Sequence, residues 1–241
     1  MRLKGKKAII TGSTGTLGGS IVEALAGAGC GCVCHYHSNS GKAEELVSKV
    51  RKAGVEGIAI QADLRREEEV ARLFDQAGAV DILINSAGVF FREKIAEADI
   101  DNGRDMFEVN FVSAVITSKY FIRQLSDADE GVVGKIVNIS GVGGLKPWAG
   151  YSFYCASKAA LISLTGSLAK ELGPRVTVNS VCPGTVSFPE GVSESVRDRQ
   201  LSMIPMGRFG RAEEIGAAVL FLLENDYITG EVVRVDGGRG I

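Results

Sequence analysis

No apolar stretch in this 241-residue chain approaches the ~20 residues that a membrane-spanning helix needs. Charge of one sign is not in excess either. The formal net charge is -2, which gives no reason to expect a nucleic-acid or membrane-surface partner. The start, Met1-Arg2-Leu3-Lys4-Gly5-Lys6-Lys7, is basic and leads into Ala8-Ile9-Ile10, but Thr11-Gly12 ends that apolar stretch too early for a signal peptide. A cytoplasmic protein is expected. Cysteine is sparse and odd in number, with Cys30, Cys32, Cys34, Cys155 and Cys182, which argues against a disulfide framework. Cys30, Cys32 and Cys34 share one face of a strand and, with His35 and His37, invite a metal site. The better reading is small buried hydrophobes in a core strand, so no metal is expected. There is no internal repeat, low-complexity tract or domain linker.

What the chain does have is enough apolar content, 45 % hydrophobic residues, to build one core without staples. At this length roughly 70–75 % of the unfolded surface can be buried. Short apolar runs alternate with amphipathic stretches. Strands are expected at Lys7–Thr11, Cys32–Tyr36, Gly57–Gln61, Asp81–Asn85, Lys135–Ile139, Val176–Val181 and Val232–Val235. Several are continuously apolar, as strands covered on both faces should be. Helices are expected at Leu17–Gly27, Gly41–Ala53 with Ser40 as N-cap, Glu67–Ala77, Arg104–Gln124, Ser152–Leu172, Ser195–Met203 and Ala212–Leu223. Strand and helix alternating throughout predict an α/β fold: one doubly wound parallel sheet of about seven strands, a single Rossmann-type domain over residues 1–241. The least regular segment follows the sixth strand, and residues 183–205 are read as the substrate loop.

Two local patterns carry chemistry. After the first strand comes Thr11-Gly12-Ser13-Thr14-Gly15-Thr16-Leu17-Gly18-Gly19, a glycine-rich strand-to-helix turn whose Gly12–Gly18 are read as cofactor contacts. Such a turn lets the backbone approach a pyrophosphate, which the helix N-terminus then holds. Tyr154 and Lys158 stand four residues apart on one helical face. A fixed ammonium beside a phenol should lower the phenol pKa and make it a proton donor near neutral pH.

Together with Asn85-Ser86-Ala87-Gly88, Asn110, Pro183-Gly184 and Asp236-Gly237-Gly238, these motifs run nearly end to end and in order. The chain resembles the short-chain dehydrogenase/reductase family. Within these motifs Thr16 replaces a glycine of the phosphate turn, and Ser86 replaces the second Asn of Asn-Asn-Ala-Gly. The resemblance implies that Tyr154 is the general acid for carbonyl reduction. Lys158 would lower its pKa and hold the nicotinamide ribose, and Asn110 would anchor a proton-relay water. It adds Asn85, Ala87, Gly88, Pro183, Gly184 and Val186 to the cofactor contacts, with Asp63 and Leu64 at the adenine; Asp63 also reads as a helix N-cap. It further implies a homo-oligomer, often a tetramer, packed through the Arg104–Gln124 and Ser152–Leu172 helices.

Cofactor choice follows from the end of the second strand. NAD sites usually place a carboxylate there. This chain has Tyr36 at that point, followed by His37, Ser38, Asn39 and Ser40, with Lys42 beyond. NADPH is therefore expected, its 2′-phosphate meeting His37, Ser38 and Asn39.

The family's carbonyl-binding serine falls on Gly141 when counted back from Tyr154, and Ser140 is one residue early. Ser140 reaches the site only if the backbone bulges, because one step along a strand flips a side chain to the other face. For the substrate, the overall pattern resembles 3-oxoacyl-acyl-carrier-protein reductases, which points to a small carbonyl compound or acyl thioester. Local strings such as His35-Tyr36-His37-Ser38 resemble pteridine reductases. Phe90, Trp148, Tyr151 and Phe188 are candidates for an aromatic slot that would suit a flat ring. A third reading is a dinucleotide-binding protein with impaired catalysis.

Overall fold

Residues that alternate across a strand separate cleanly onto two sides of one sheet. A computed structural model describes residues 1–125, 131–186 and 192–241. Its strands are β1 Lys7–Ile10, β2 Gly31–Tyr36, β3 Gly57–Gln61, β4 Ile82–Asn85, β5 Gly134–Ile139, β6 Val176–Pro183 and β7 Val232–Val235. All pair in parallel, in the order β3-β2-β1-β4-β5-β6-β7. Ala8, Ile10, Cys32, Cys34, Ile82, Ile84, Val137 and Ile139 pack on one face. Ile9, Val33, Leu83, Ile136 and Val178 pack on the other. Every residue of β5 and β6 is buried, the pattern of a strand covered on both faces. The three alternating cysteines are part of this core, and burial pushes the Cys30 and Cys34 thiols up to about 12.

Helices α1 Thr16–Gly27, α2 Ser40–Lys52 and α8 Ala212–Glu224 cover the first face. Helices α3 Glu67–Ala77, α5 Ser113–Arg123 and α6 Ser152–Leu172 cover the second. α4 Ile100–Phe107 packs against α6, and α7 Glu194–Leu201 follows β6 in the chain. The chain runs outward from β1 to β3 and then crosses back to β4 beside β1. The carboxyl ends of β1 and β4 therefore open a crevice, the place where ligands bind in such sheets.

Three local expectations change. The N-cap of α2 is Asn39, whose Oδ1 accepts from the Lys42 N–H at 3.0 Å; Ser40 is the first helical residue. The residue at the N-cap position of α3 is Arg66, and Asp63 lies upstream of it. The helix expected over Arg104–Gln124 begins earlier, at Ile100, capped by Asp99. It is then widened by a π turn over Glu108–Val112, which carries Asn110. The remaining boundaries agree within two residues, the ordinary latitude of helix and strand ends.

Candidate active site

The glycine turn is shaped by two contacts that no larger residue permits. Gly12 has φ +62°, and a Cβ there would lie 2.7 Å from the Ala87 Cα. A Cβ on Gly18 would lie 2.4 Å from the Gly12 carbonyl oxygen, so α1 starts pressed onto the turn. Gly15 precedes α1 with no side-chain cap, and Thr16 is exposed as the first helical residue. The first-turn N–H groups of α1 thus have no capping side chain to satisfy them. Ser13 ties the turn to β2, its hydroxyl donating to the His35 carbonyl at 2.9 Å.

Thr11, which opens the glycine-rich motif, and His35, which sequence reasoning did not place in the site, hold this turn. The Thr11 hydroxyl accepts from the Ser86 and Ala87 N–H groups at 2.9 and 3.0 Å, clamping the loop after β4 onto β1. His35 is 2 % exposed. Its Nδ1 accepts from the Gly12 N–H at 2.9 Å, and this leaves Nε2 to donate to the Ala62 carbonyl at 3.0 Å. Burial lowers the His35 pKa to about 4, so the ring is neutral and its tautomer is set by these two bonds. The His-Tyr-His alternation held a hint, since one of two faces of β2 must turn inward.

At the end of β2, His37, Ser38 and Asn39 are exposed and no carboxylate stands among them. The Asn39 oxygen is committed to its capping bond, and the His37 carbonyl accepts from Gln61 Nε2 at 2.9 Å. Asp63 is held by Arg65 through a two-pronged pair, 2.9 and 2.8 Å, which lowers its carboxyl to about 2. Leu64 is buried.

Asn85 and Asn110 are structural linchpins of the crevice. Asn85 donates to Asn138 Oδ1 at 2.9 Å across the β4–β5 register and accepts from Thr117 at 2.7 Å. Asn138 passes the chain on to Thr165 at 2.9 Å. The Asn110 amide spans the Val89 N–H and carbonyl, at 2.7 and 3.0 Å, and reaches Ser157 at 3.0 Å. A Cβ on Gly88 would lie 3.2 Å from both Asn110 Oδ1 and Lys158 Nζ, so these groups meet at one point.

Tyr154 and Lys158 project from α6 to the ends of β4 and β5. Lys158 is buried, and its Nζ donates to the Ile139 carbonyl at 3.1 Å. Burial lowers its pKa to about 8. The Tyr154 ring is enclosed by Phe90, edge-on at 4.7 Å, and Trp148, stacked at 6.1 Å. Contrary to the expectation from spacing, the phenol pKa is not lowered: burial pushes it well up, with Cys155 and Cys182 adding to that direction.

Ser140 does not reach the phenol. Its hydroxyl is turned to β6, bonded to Ser180 Oγ at 2.6 Å, the Val181 carbonyl at 3.1 Å and Cys182 Sγ at 2.9 Å. Gly141 takes the place instead, and a Cβ there would lie 2.8 Å from the Tyr154 hydroxyl. Phe90 stacks on Tyr151 at 4.8 Å and 19°, and Trp148 meets Tyr151 edge-on at 5.8 Å. Phe188 lies outside the described residues. Pro183 ends β6, and Gly184 is packed so closely that a Cβ would lie 2.7 Å from the Asp236 Cα. Val186 packs against the core on the α1 side.

A family model described as Enoyl-(Acyl carrier protein) reductase matches residues 12–239. The 3-oxoacyl-[acyl-carrier-protein] reductase FabG of Aquifex aeolicus is 34 % identical over 99 % of this chain and 98 % of its own. The chain belongs to the short-chain dehydrogenase/reductase family. Among solved structures, a short-chain dehydrogenase/reductase from Serratia marcescens is 33 % identical with a TM-score of 0.92, each chain covered in full. FolM alternative dihydrofolate reductase 1 from Brucella canis, complexed with NADP, is 28 % identical with a TM-score of 0.90, over 99 % of this chain and 95 % of that one. As a short-chain dehydrogenase/reductase the protein is an oxidoreductase, and its Tyr-x-x-x-Lys pair stands at the carboxyl edge of the sheet, beside the crevice.

Proposed function

We propose that this protein reduces a carbonyl group with NADPH, in the manner of a 3-oxoacyl-thioester reductase. The observation that carries the reading is the meeting of Tyr154, Lys158, Gly88 and Asn110 beside the crevice between β1 and β4. The turn fits a dinucleotide: the Gly12 and Gly18 contacts leave no room for side chains, and the uncapped N-terminus of α1 suits a pyrophosphate. Residues Gly12 to Gly18 would hold it, with Ala87 and Gly88 beside the ribose and Pro183, Gly184 and Val186 beyond. The absence of a carboxylate after β2 favours a 2′-phosphate, met by His37 and Ser38; the FolM neighbour was solved with NADP.

When bound, the nicotinamide supplies hydride to the carbonyl carbon. Tyr154 gives its proton to the carbonyl oxygen. The raised phenol pKa suits this direction, because it keeps the donor protonated until alkoxide character develops. Lys158 spends one of its three N–H donors on Ile139 and keeps two for ribose hydroxyls. Asn110 fixes the loop through Val89 and the helix through Ser157, so its part is positioning. Ser140 has no part in this scheme.

A second reading is supported by the nearly parallel Phe90–Tyr151 pair beside Tyr154 and by the FolM likeness: reduction of a flat heterocycle. NADPH oxidation with acetoacetyl thioesters against dihydropteridines separates the two. Tyr154→Phe should lower turnover by at least a hundredfold. Unchanged turnover, or a kcat/KM that favours NADH, would count against the scheme. We further propose a cytoplasmic homo-oligomer, in line with the family; a monomer by light scattering at micromolar concentration argues against it.

A further inference from the structure

The closing Asp-Gly-Gly motif aims a cation at the aromatic slot. Asp236 spends its carboxylate on backbone, Oδ1 accepting from the Gly238 N–H at 3.0 Å and Oδ2 from Gly240 at 2.7 Å. With Gly237 and Gly238 both at positive φ, this turn holds Arg239 inward and half-buried. The guanidinium carbon lies 5.0 Å from the Trp148 ring centre. One terminal nitrogen donates to Thr185 Oγ1 at 2.6 Å, after β6, and the other to Gln200 Oε1 at 2.5 Å, on α7. Three segments therefore fix the fork in place.

None of its partners carries charge. Among the described residues Arg239 makes no ion pair, although exposed arginines of the same chain do: Arg65 with Asp63 and Arg208 with Glu214. Burial disfavours its charged form, while Tyr151 and Asp236 act in the other direction. Two of its five N–H donors are used, so three remain. A half-buried guanidinium with spare donors and no ion-pair partner among the described residues favours an anion, and its planar fork matches a carboxylate edge.

We propose that Arg239 forms a carboxylate subsite, so that the carbonyl compound reduced here carries a carboxylate a short distance from the reacting centre. Trp148 neighbours both groups, 5.0 Å from the guanidinium and 6.1 Å from the Tyr154 ring. The guanidinium is thus no farther than about 11 Å from that ring. This span suits a short keto acid; the phosphate of an acyl-carrier arm sits at the far end of a much longer chain. The inference rests on the reductase reading for its carbonyl, but not for its anion site.

The test compares straight-chain keto acids with their methyl esters as substrates, with NADPH in excess, for wild type, Arg239→Met and Arg239→Lys. Wild type should prefer the acid at one chain length. Arg239→Met should reduce the acid-to-ester ratio of kcat/KM by about ten- to a hundredfold, and Arg239→Lys should restore part of it. A purely structural Arg239 would lower both substrates together and leave the ratio unmoved. Calorimetry of benzoate against benzamide on the NADPH-loaded protein reads the subsite without turnover. Benzoate binding that is lost in Arg239→Met supports it even if no ketone is reduced, in which case only the reductase reading falls. A ratio near one in wild type, or one that Arg239→Met leaves unchanged, overturns the proposal. So does benzoate that binds no better than benzamide.

Discussion

His35 should make the stability of this protein acid-sensitive through a single ring. In the folded chain Nδ1 must stay unprotonated, because the Gly12 N–H points at it from 2.9 Å. Adding a proton there sets two donors face to face inside the core. The folded pKa is accordingly depressed, from 6.5 to about 4, mainly by burial. The unfolded chain binds the proton first as pH falls. The His35 contribution is therefore complete above about pH 6.5 and is lost progressively as pH falls through about 4. At 1.36 kcal/mol per unit the whole window is worth about 3 kcal/mol. The perturbation is His35→Gln, which does not titrate and keeps an oxygen that can accept from Gly12. Replacing the ring should cost roughly 1–3 kcal/mol at pH 8 through an imperfectly replaced pair of bonds. Urea unfolding of both proteins between pH 4 and pH 8 reads the difference directly. The gap between wild type and variant should close as the buffer is acidified and, for a cost under about 3 kcal/mol, reverse by pH 4. Two stability curves that stay parallel across that range would refute the assignment of the acid dependence to His35.

Three further outcomes follow from the same contacts. Gly12→Ala must place a methyl 2.7 Å from Ala87 Cα at φ +62°, so it should destabilise by about 2–4 kcal/mol and abolish tight NADPH binding, read by urea melts and nucleotide fluorescence. Asn138→Ala removes the partner of both the Asn85 amide and the Thr165 hydroxyl inside the sheet; a loss of about 2–4 kcal/mol is expected by chemical unfolding, and a loss under 1 kcal/mol would show that the ladder is dispensable. Gly141→Ser restores the family's serine in sequence register, but its Cβ would lie 2.8 Å from the Tyr154 hydroxyl. Steady-state kinetics should show a lower kcat in Gly141→Ser and Gly141→Ala alike, and a faster Gly141→Ser enzyme would mean that the ring yields.

The fold was readable because its signals are local and repeated. Continuous apolar runs such as Cys32–Tyr36 and Lys135–Ile139 need only composition to be read as covered strands. Alternation with amphipathic stretches then leaves few topologies. The glycine turn and the Tyr154–Lys158 spacing are likewise properties of short segments. What stayed hidden depends on register and depth. That Asn138 stands opposite Asn85 follows from the pairing of β4 with β5, which no local pattern encodes. That Asn39 rather than Ser40 caps α2 turns on one backbone angle. The direction of the Tyr154 shift turned on burial by Phe90 and Trp148, groups far away in sequence or on the preceding turn. Spacing predicts which charges are near; it does not report how much water has been removed.

Counting donors and acceptors around the crevice shows why the tyrosine stands apart from its polar neighbours. Asn85, Asn110, Asn138, Ser140 and Ser180 are all buried, and each has its side chain bonded to protein. Such groups are costly to bury and are kept when hydrogen-bonded, so their main part is to fix geometry. The Tyr154 hydroxyl makes no hydrogen bond to any described residue, and Lys158 keeps two donors. Beside the crevice, the Tyr154 phenol and the Lys158 ammonium thus keep capacity that the bonded asparagines and serines spend on its frame. Arg239 belongs with the first group by the same count, since it keeps three donors and its charge. The serine expected beside Tyr154 belongs with neither, because at residue 140 it is absorbed by β6 and at residue 141 the chain has no side chain to offer. In the proposed scheme, a site with one fewer neutral donor for the carbonyl depends more heavily on binding the rest of its substrate. A fixed cation within about 11 Å is the kind of group that supplies such binding.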